Sequence, residues 1–381
     1  MLFSEILGLE HIKNHLISTA DRGRIPHAQL FVGSHGSGTL PMAIAYAQYI
    51  LCGNQNGENT EGNIACNSKL NKLSHPDLHF AFPIATTEKI KSKPLCDNFI
   101  GEWREFVLTN PYFSLFDWYK KLGIEKKQGK IGNDEALEII KKLSIKSYEG
   151  GYKILIIWQA EKMNASSANK LLKLIEEPPE KTLIILIVEN ESQLLQTIRS
   201  RCQILRFPPL GETVIADALK KKTDPTKAGI IARQANGSYA AALHLLENAE
   251  NNQQFEKWFI TWVRTAFRSK GNKSAIMSLL SWSEEIAKTN RETQKSFLLY
   301  CTDFFRQAML TNYGAKKLVY LAPQTDNFSL QKFAPFVHAG NIFEIQKELQ
   351  EAIFHIERNI NGKIVFTDLS IKLTRLLHKK E

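Results

Sequence analysis

Three stretches of the chain are apolar almost without interruption: Leu30-Phe31-Val32, Tyr152 to Trp158 (YKILIIW) and Thr182 to Val188 (TLIILIV). Runs of this kind suit strands of a parallel sheet covered on both faces, since a strand with one wet face would alternate. Around them, apolar residues recur at helical spacing. A short helix is predicted from Leu9 to Ala20, and a second carries Leu40, Ala43, Ile44, Ala47 and Leu51. An amphipathic helix from Asp134 to Leu143 places Ala136, Leu137, Ile140 and Leu143 on its buried face, and Gly150-Gly151 ends it before the next strand. Met163, Ala168, Leu171, Leu172 and Ile175 form another, which Glu176-Glu177-Pro178-Pro179 terminates because proline cannot continue the hydrogen-bond ladder. A further helix is expected from Ser192 to Ile198. Strands alternating with helices predict an α/β fold with a doubly wound parallel sheet. After Pro208-Pro209 the pattern is helical to the end of the chain, first to about Asn248 and then over 250–381, where Phe255, Trp258, Phe259, Trp262, Val263 and Phe267, and later Phe297, Leu298, Cys301, Phe304, Phe305 and Met309, form helical stripes of the kind that build a bundle core.

The 381 residues are too many for one ordinary core. With 43% hydrophobic and 23% charged residues the composition is that of a normal globular protein. The net charge of +10 is compatible with contact to an anionic polymer but does not separate nucleic acid from solubility. No segment approaches the run of about eighteen apolar residues a membrane helix needs, and the start has no leader pattern, so a cytoplasmic protein is expected. The 5 cysteines (Cys52, Cys66, Cys96, Cys202, Cys301) are scattered and odd in number, which argues against a disulfide framework.

The first strand runs into Gly33-Ser34-His35-Gly36-Ser37-Gly38 and then a helix, the layout of a phosphate-binding loop. A working loop is G-x-x-x-x-G-K-[ST], in which backbone N–H groups cradle phosphates, the lysine reaches their outer oxygens and the hydroxyl binds magnesium. Here Gly33 and Gly38 keep the spacing, but Thr39 stands at the lysine and Leu40 at the hydroxyl. The shape is kept without the chemistry.

Further along, ANKLLKLIEEPPEKT closely resembles the signature of bacterial AAA+ clamp-loader subunits, and GLEHIKNHLISTADRGRIPHAQLFVG resembles the start of their nucleotide-binding domain. Ser200-Arg201-Cys202 matches their motif in which an arginine projects into the ATP site of the neighbouring subunit. An arginine suits that task because its planar, permanently charged fork can grip phosphate oxygens with two donors. The resemblance implies an AAA+ domain over 1–207, a helical lid over 208–249 and an all-helical collar over 250–381. It also locates further losses. The two acids that organise magnesium and water are replaced by Trp158 and Gln159, with Glu161 too far along to substitute. The sensor position after the last long strand is Val188, and the lid's sensor arginine is Ala240.

Two segments depart from the family pattern. In 52–77, relatives carry a zinc module built from four cysteines. Only Cys52 and Cys66 remain here, with Asn63 and Lys69 at the other positions; His75 or Asp77 are the nearby residues able to replace them. Structural zinc normally takes four ligands, so no metal is expected. The insertion 84–130 holds Trp103, Phe106, Tyr112, Phe113, Phe116, Trp118 and Tyr119, followed by Lys120, Lys121, Lys126, Lys127 and Lys130. Aromatic and basic residues interleaved could hold single-stranded nucleic acid; they are read instead as the core and the solvated face of a small helical subdomain.

The function implied is that of a subunit of a hetero-oligomeric clamp loader serving a replicative DNA polymerase. It would bind no cofactor, and ATP would be held by a neighbouring subunit into which Arg201 reaches. The implied partners are ATPase subunits of gamma/tau type, a delta-type subunit, and, through the assembly, the sliding clamp and primer-template DNA. The alternatives are an ATPase of the same fold with atypical phosphate contacts and a DNA-binding module unrelated to ATP; no recognition-helix motif supports the latter.

Overall fold

A computed structural model describes residues 1–53, 64–125, 127–247, 249–269, 272–315, 318–321, 323, 325, 328–358 and 360–379; Asn63, Lys126 and Asn248 lie outside the described residues. The chain divides into two compact units, Met1–Leu245 and Leu246–Glu381.

In the first unit, strands β1 (Ala28–Val32), β2 (Leu78–Ala81), β3 (Lys153–Trp158), β4 (Thr182–Val188) and β5 (Gln203–Arg206) form one sheet in the order β2-β3-β4-β1-β5, every pair parallel. This is the doubly wound parallel sheet expected of an AAA+ domain. All of β3 and β4 is buried, which explains their unbroken apolar sequences. β5 is an edge strand with exposed ends, so Gln-Ile-Leu-Arg offers no apolar run from which to predict it.

Helices α1 (Glu10–Asp21), α2 (Thr39–Cys52) and α3 (Ile64–Asn71) precede β2. The insertion supplies α4 (Ile100–Thr109) and α5 (Leu115–Leu122), and α6 (Asn133–Ser144) returns the chain to the sheet. α7 (Ala165–Glu176) lies between β3 and β4, and α8 (Gln196–Arg199) between β4 and β5. The single helix expected from Ser192 to Ile198 is instead a 3-10 turn at Glu191–Gln193, capped by the Asn190 side chain, followed by α8. In α6 the buried face is Glu135, Ala136, Ile139 and Leu143, while Leu137 is 52% exposed. The Glu135 carboxylate on this buried face accepts the Cys96 N–H at 2.7 Å, so its polar atom is not left unpaired. α9 (Glu212–Leu219), α10 (Pro225–Gln234) and α11 (Tyr239–Glu247) form the helical segment after the sheet.

The second unit is helical: α12 (Ala249–Arg268), α13 (Lys273–Ala287), α14 (Arg291–Asn312), α15 (Leu330–Phe333), α16 (Ile342–Glu357) and α17 (Gly362–Leu376). Its core is aromatic. Trp262 stacks on Trp282 with centroids 5.1 Å apart, and its indole N–H donates to Ser370 Oγ at 2.9 Å, so the buried polar atom is satisfied. Phe267, placed in the core stripe by periodicity, is 43% exposed and stacks on His378 at 4.7 Å. Among the described residues, no helix is long and apolar enough to cross a membrane.

Candidate functional site

The glycine-rich loop connects β1 to α2 as expected, but its backbone serves the lid. The Gly36 carbonyl accepts the Tyr239 N–H at 3.1 Å and the His35 carbonyl accepts the Ser238 hydroxyl at 2.8 Å. Gly36 has φ +74°, and a Cβ there would lie 2.4 Å from Ser238 Oγ and 2.6 Å from the Ala240 nitrogen. The glycine is therefore required by the approach of α11. Thr39 and Leu40 are both buried in the first turn of α2, and Pro41 beside them has no N–H to offer an anion. The proline is a further loss at this loop, beyond those at Thr39 and Leu40.

The insertion lies against the glycine-rich loop. Pro111, Tyr112 and Phe113 line the pocket together with Gly38, Leu40, Trp158 and Ile187. Phe113 packs on Trp158 with centroids 5.0 Å apart, and Tyr112 meets Tyr239 edge-on at 5.2 Å. The Tyr112 hydroxyl accepts the Leu7 N–H at 2.9 Å. A small cleft remains open beside these side chains. The aromatic residues do not form a separate subdomain: Trp103, fully buried, stacks on Phe82 at 4.2 Å and packs against Trp118 and Trp158, so the insertion's core is joined to the end of β3. Lys120, Lys121, Lys127 and Lys130 are exposed, as a solvated face would be.

The pocket's electrostatics are also wrong for phosphate. The described residues lining it include neither lysine nor arginine, and they include Glu189. This carboxylate, directly after β4, accepts the Gln159 side-chain N–H at 2.7 Å and faces His35 Nδ1 at 3.8 Å. Burial pulls its pKa up, but the His35 and Gln159 contacts outweigh this and hold it below the ordinary carboxylate value. A carboxylate thus lines the pocket, paired with His35 and Gln159. Glu161 shares the cluster: its Oε1 accepts the Glu189 N–H at 2.9 Å, its Oε2 is buried without a partner, and burial raises its pKa. Sequence reasoning misses Glu189 because the motif points to a sensor at Val188, which is buried in β4; an acid immediately following that strand is the available signal. Ala240 does face the loop, beside Gly36, and brings no charge to it.

Arg201 lies away from this pocket, just past α8. It is exposed, its Nε pairs with Glu176 Oε1 at 2.5 Å, and its Nη1 donates to the Thr197 carbonyl at 2.9 Å. The Glu176 side chain is 42% exposed and that of Arg201 40%, so the pair is a surface one, worth at most about 1 kcal/mol. Ser200 is exposed, whereas Cys202 is partly buried and burial pushes its thiol up to about 12, which leaves it unreactive.

The remnant of the zinc module is closed covalently. Cys52 and Cys66 form a disulfide with Cα atoms 5.6 Å apart, contrary to the expectation from scattered, odd-numbered cysteines. The reason is tertiary: α3 folds back along α2, where Gln48 donates to Asn67 at 2.7 Å, and this brings the two thiols together. Cys66 Sγ, His75 Nε2 and a Glu149 oxygen lie within 4.8 Å of one another, a possible metal cluster. The chemistry does not fit. A metal-bound imidazole donates through its other nitrogen, but His75 Nδ1 accepts the Asp77 N–H at 3.1 Å, which puts the proton on Nε2, toward Glu149 Oε2 at 3.2 Å. Lys69, at a former ligand position, neutralises Glu149 at 2.6 Å. Asp77 is engaged elsewhere, accepting the Tyr148 and Glu149 N–H groups at 2.7 and 3.1 Å.

Residues 8–211 match the family described as DNA polymerase III, delta subunit. A delta-prime subunit of DNA polymerase III from Bacillus subtilis is 30% identical over 236 residues, covering 62% of this chain and 58% of that protein. The delta-prime subunit from Escherichia coli is 22% identical over 370 residues, covering 95% and 93% respectively. The tau subunit of Bacillus subtilis is 25% identical over 254 residues, covering 65% of this chain and 37% of that one.

Proposed function

The chain belongs to the DNA polymerase III delta-subunit family, among the delta-prime subunits of the clamp loader, and from that premise we propose that it binds no nucleotide and offers Arg201 to the ATP site of a neighbouring subunit. The observation that carries this reading is the contrast between a pocket filled by Tyr112 and Phe113 around the Glu189 carboxylate and an arginine left exposed at the end of α8. An intact ATPase would need the reverse, an open cationic pocket. The neighbour would be a gamma/tau-type ATPase, a delta-type subunit would complete the ring, and the assembly would act on the sliding clamp and primer-template DNA in the cytoplasm.

Within such a ring the chain has no catalysis of its own. It supplies a guanidinium to charge developing on a phosphoryl group elsewhere, and the weak Glu176 contact holds that group in place until a stronger anion displaces it. Titration calorimetry of the purified chain with MgATP tests the first half. No heat of binding at millimolar nucleotide is expected; saturable micromolar binding would transfer the chain to the atypical-ATPase alternative. Hydrolysis by the reconstituted complex carrying Arg201→Ala tests the second half.

A further inference from the structure

We propose that the 84–130 insertion acts as a built-in occupant of the nucleotide pocket, with Tyr112 and Asp117 as positioning residues that fix the helical lid on the α/β core. This rests on the reading above that no nucleotide enters.

The lid's first turn in α11 is hydrogen-bonded to the backbone of the glycine loop, through the Tyr239 N–H and the Ser238 hydroxyl. Ala240 supplies no side-chain reach to a ligand. The insertion makes the further contacts. The ring of Tyr112 lies between the loop and the lid: its Cε1 is 3.5 Å from where a Cβ on Gly38 would be, and its edge meets Tyr239 at 5.2 Å. Its hydroxyl, bound to the Leu7 N–H, ties the same ring to the start of the chain. One turn of α11 further on, His244 Nε2 lies 3.0 Å from a carboxylate oxygen of Asp117, which also accepts the Ser114 N–H that caps α5. The insertion is thus anchored in the sheet through Trp103 and Trp118 at one end and in the lid through Tyr112 and Asp117 at the other. A bound nucleotide bridging loop and lid would occupy the same place, but it would come and go. This occupant is part of the chain, so the lid keeps one pose whatever the ATP concentration.

Amide hydrogen exchange on the full chain tests this, comparing amides of 239–245 with those of β4. Tyr112→Ala is expected to speed exchange in 239–245 by about tenfold while β4 is unchanged, and Tyr112→Phe to retain protection because the ring does the positioning. His244→Ala, at a partly exposed position where folding is safe, should give a smaller acceleration in the same amides. Unchanged lid exchange in both Tyr112→Ala and His244→Ala overturns the proposal, as does acceleration of β4 in step with the lid. Protection of the unaltered chain's glycine loop by MgATP would instead overturn the reading that no nucleotide enters.

Discussion

At the glycine-rich loop the residues serve packing: Gly36 admits the lid, Thr39 and Leu40 are buried, Trp158 supports Phe113, and Glu189 presents a carboxylate. At the Ser200-Arg201-Cys202 corner of the same unit, the arginine is exposed and is held by Glu176, the Thr197 carbonyl and the Ser200 hydroxyl. The loop faces inward, where packing accounts for its residues. The Arg201 side chain faces solvent, and the proposed role in a neighbour's site would account for it.

The sharpest way to break this contrast is Arg201→Ala. The chain should fold with unchanged stability, because exposed pairs contribute little, yet hydrolysis at the one dependent site of the reconstituted complex should fall by roughly 10³ to 10⁵ fold. Arg201→Lys should recover little of it, lacking the two-donor fork, and Arg199→Ala should be milder. A complex with Arg201→Ala that hydrolyses ATP normally would reduce Arg201 to a helix-end cation. The converse substitution is Trp103→Ala, which removes the fully buried ring joining the insertion to β3. It should cost about 3–5 kcal/mol in urea unfolding of the first unit and create no ATP binding.

Cys66→Ser tests whether a covalent link has taken over from metal. Closing a loop over a separation of 14 residues should be worth about 3 kcal/mol to the oxidised chain, and a reductant should abolish the difference between the variant and the parent. A stoichiometric metal retained by the parent and lost in the variant would reverse the assignment. The smallest effect is expected from Glu161→Gln. The folded pKa of Glu161 lies above its ordinary 4.5 because of burial, so the folded state binds the proton more tightly and stability falls as pH rises through that window. The amide should therefore stabilise the chain at pH 7, with the gain fading as pH falls toward 4.5. A gain that persists at pH 4 would mean that something other than the buried charge is responsible.

Much of this is legible in the chain itself. KILIIW and TLIILIV read directly as buried strands, the substitutions at Thr39 and Leu40 follow from the spacing of the glycine-rich loop, and those at Trp158 and Ala240 follow from the family resemblance. What the sequence withholds is direction. The aromatic residues of the insertion announce a core, but periodicity does not say whether they face one another or the sheet, and the latter arrangement is what fills the pocket. The Cys52 to Cys66 spacing is silent for the same reason, since only the return of α3 along α2 makes a bond of it. A carboxylate such as Glu135 is ordinarily expected on the wet side of a helix, and only the fold shows it buried and paired with the Cys96 N–H.

Pro41 adds a backbone obstacle to the side-chain ones at the glycine-rich loop. A lysine restored at position 39 would find no N–H at Pro41, a carboxylate at Glu189 and two aromatic rings in the way, and undoing any one of these leaves the others. On the proposed reading these obstacles are independent of one another, so no one substitution at position 39, 41 or 189 would by itself turn the loop into a phosphate site.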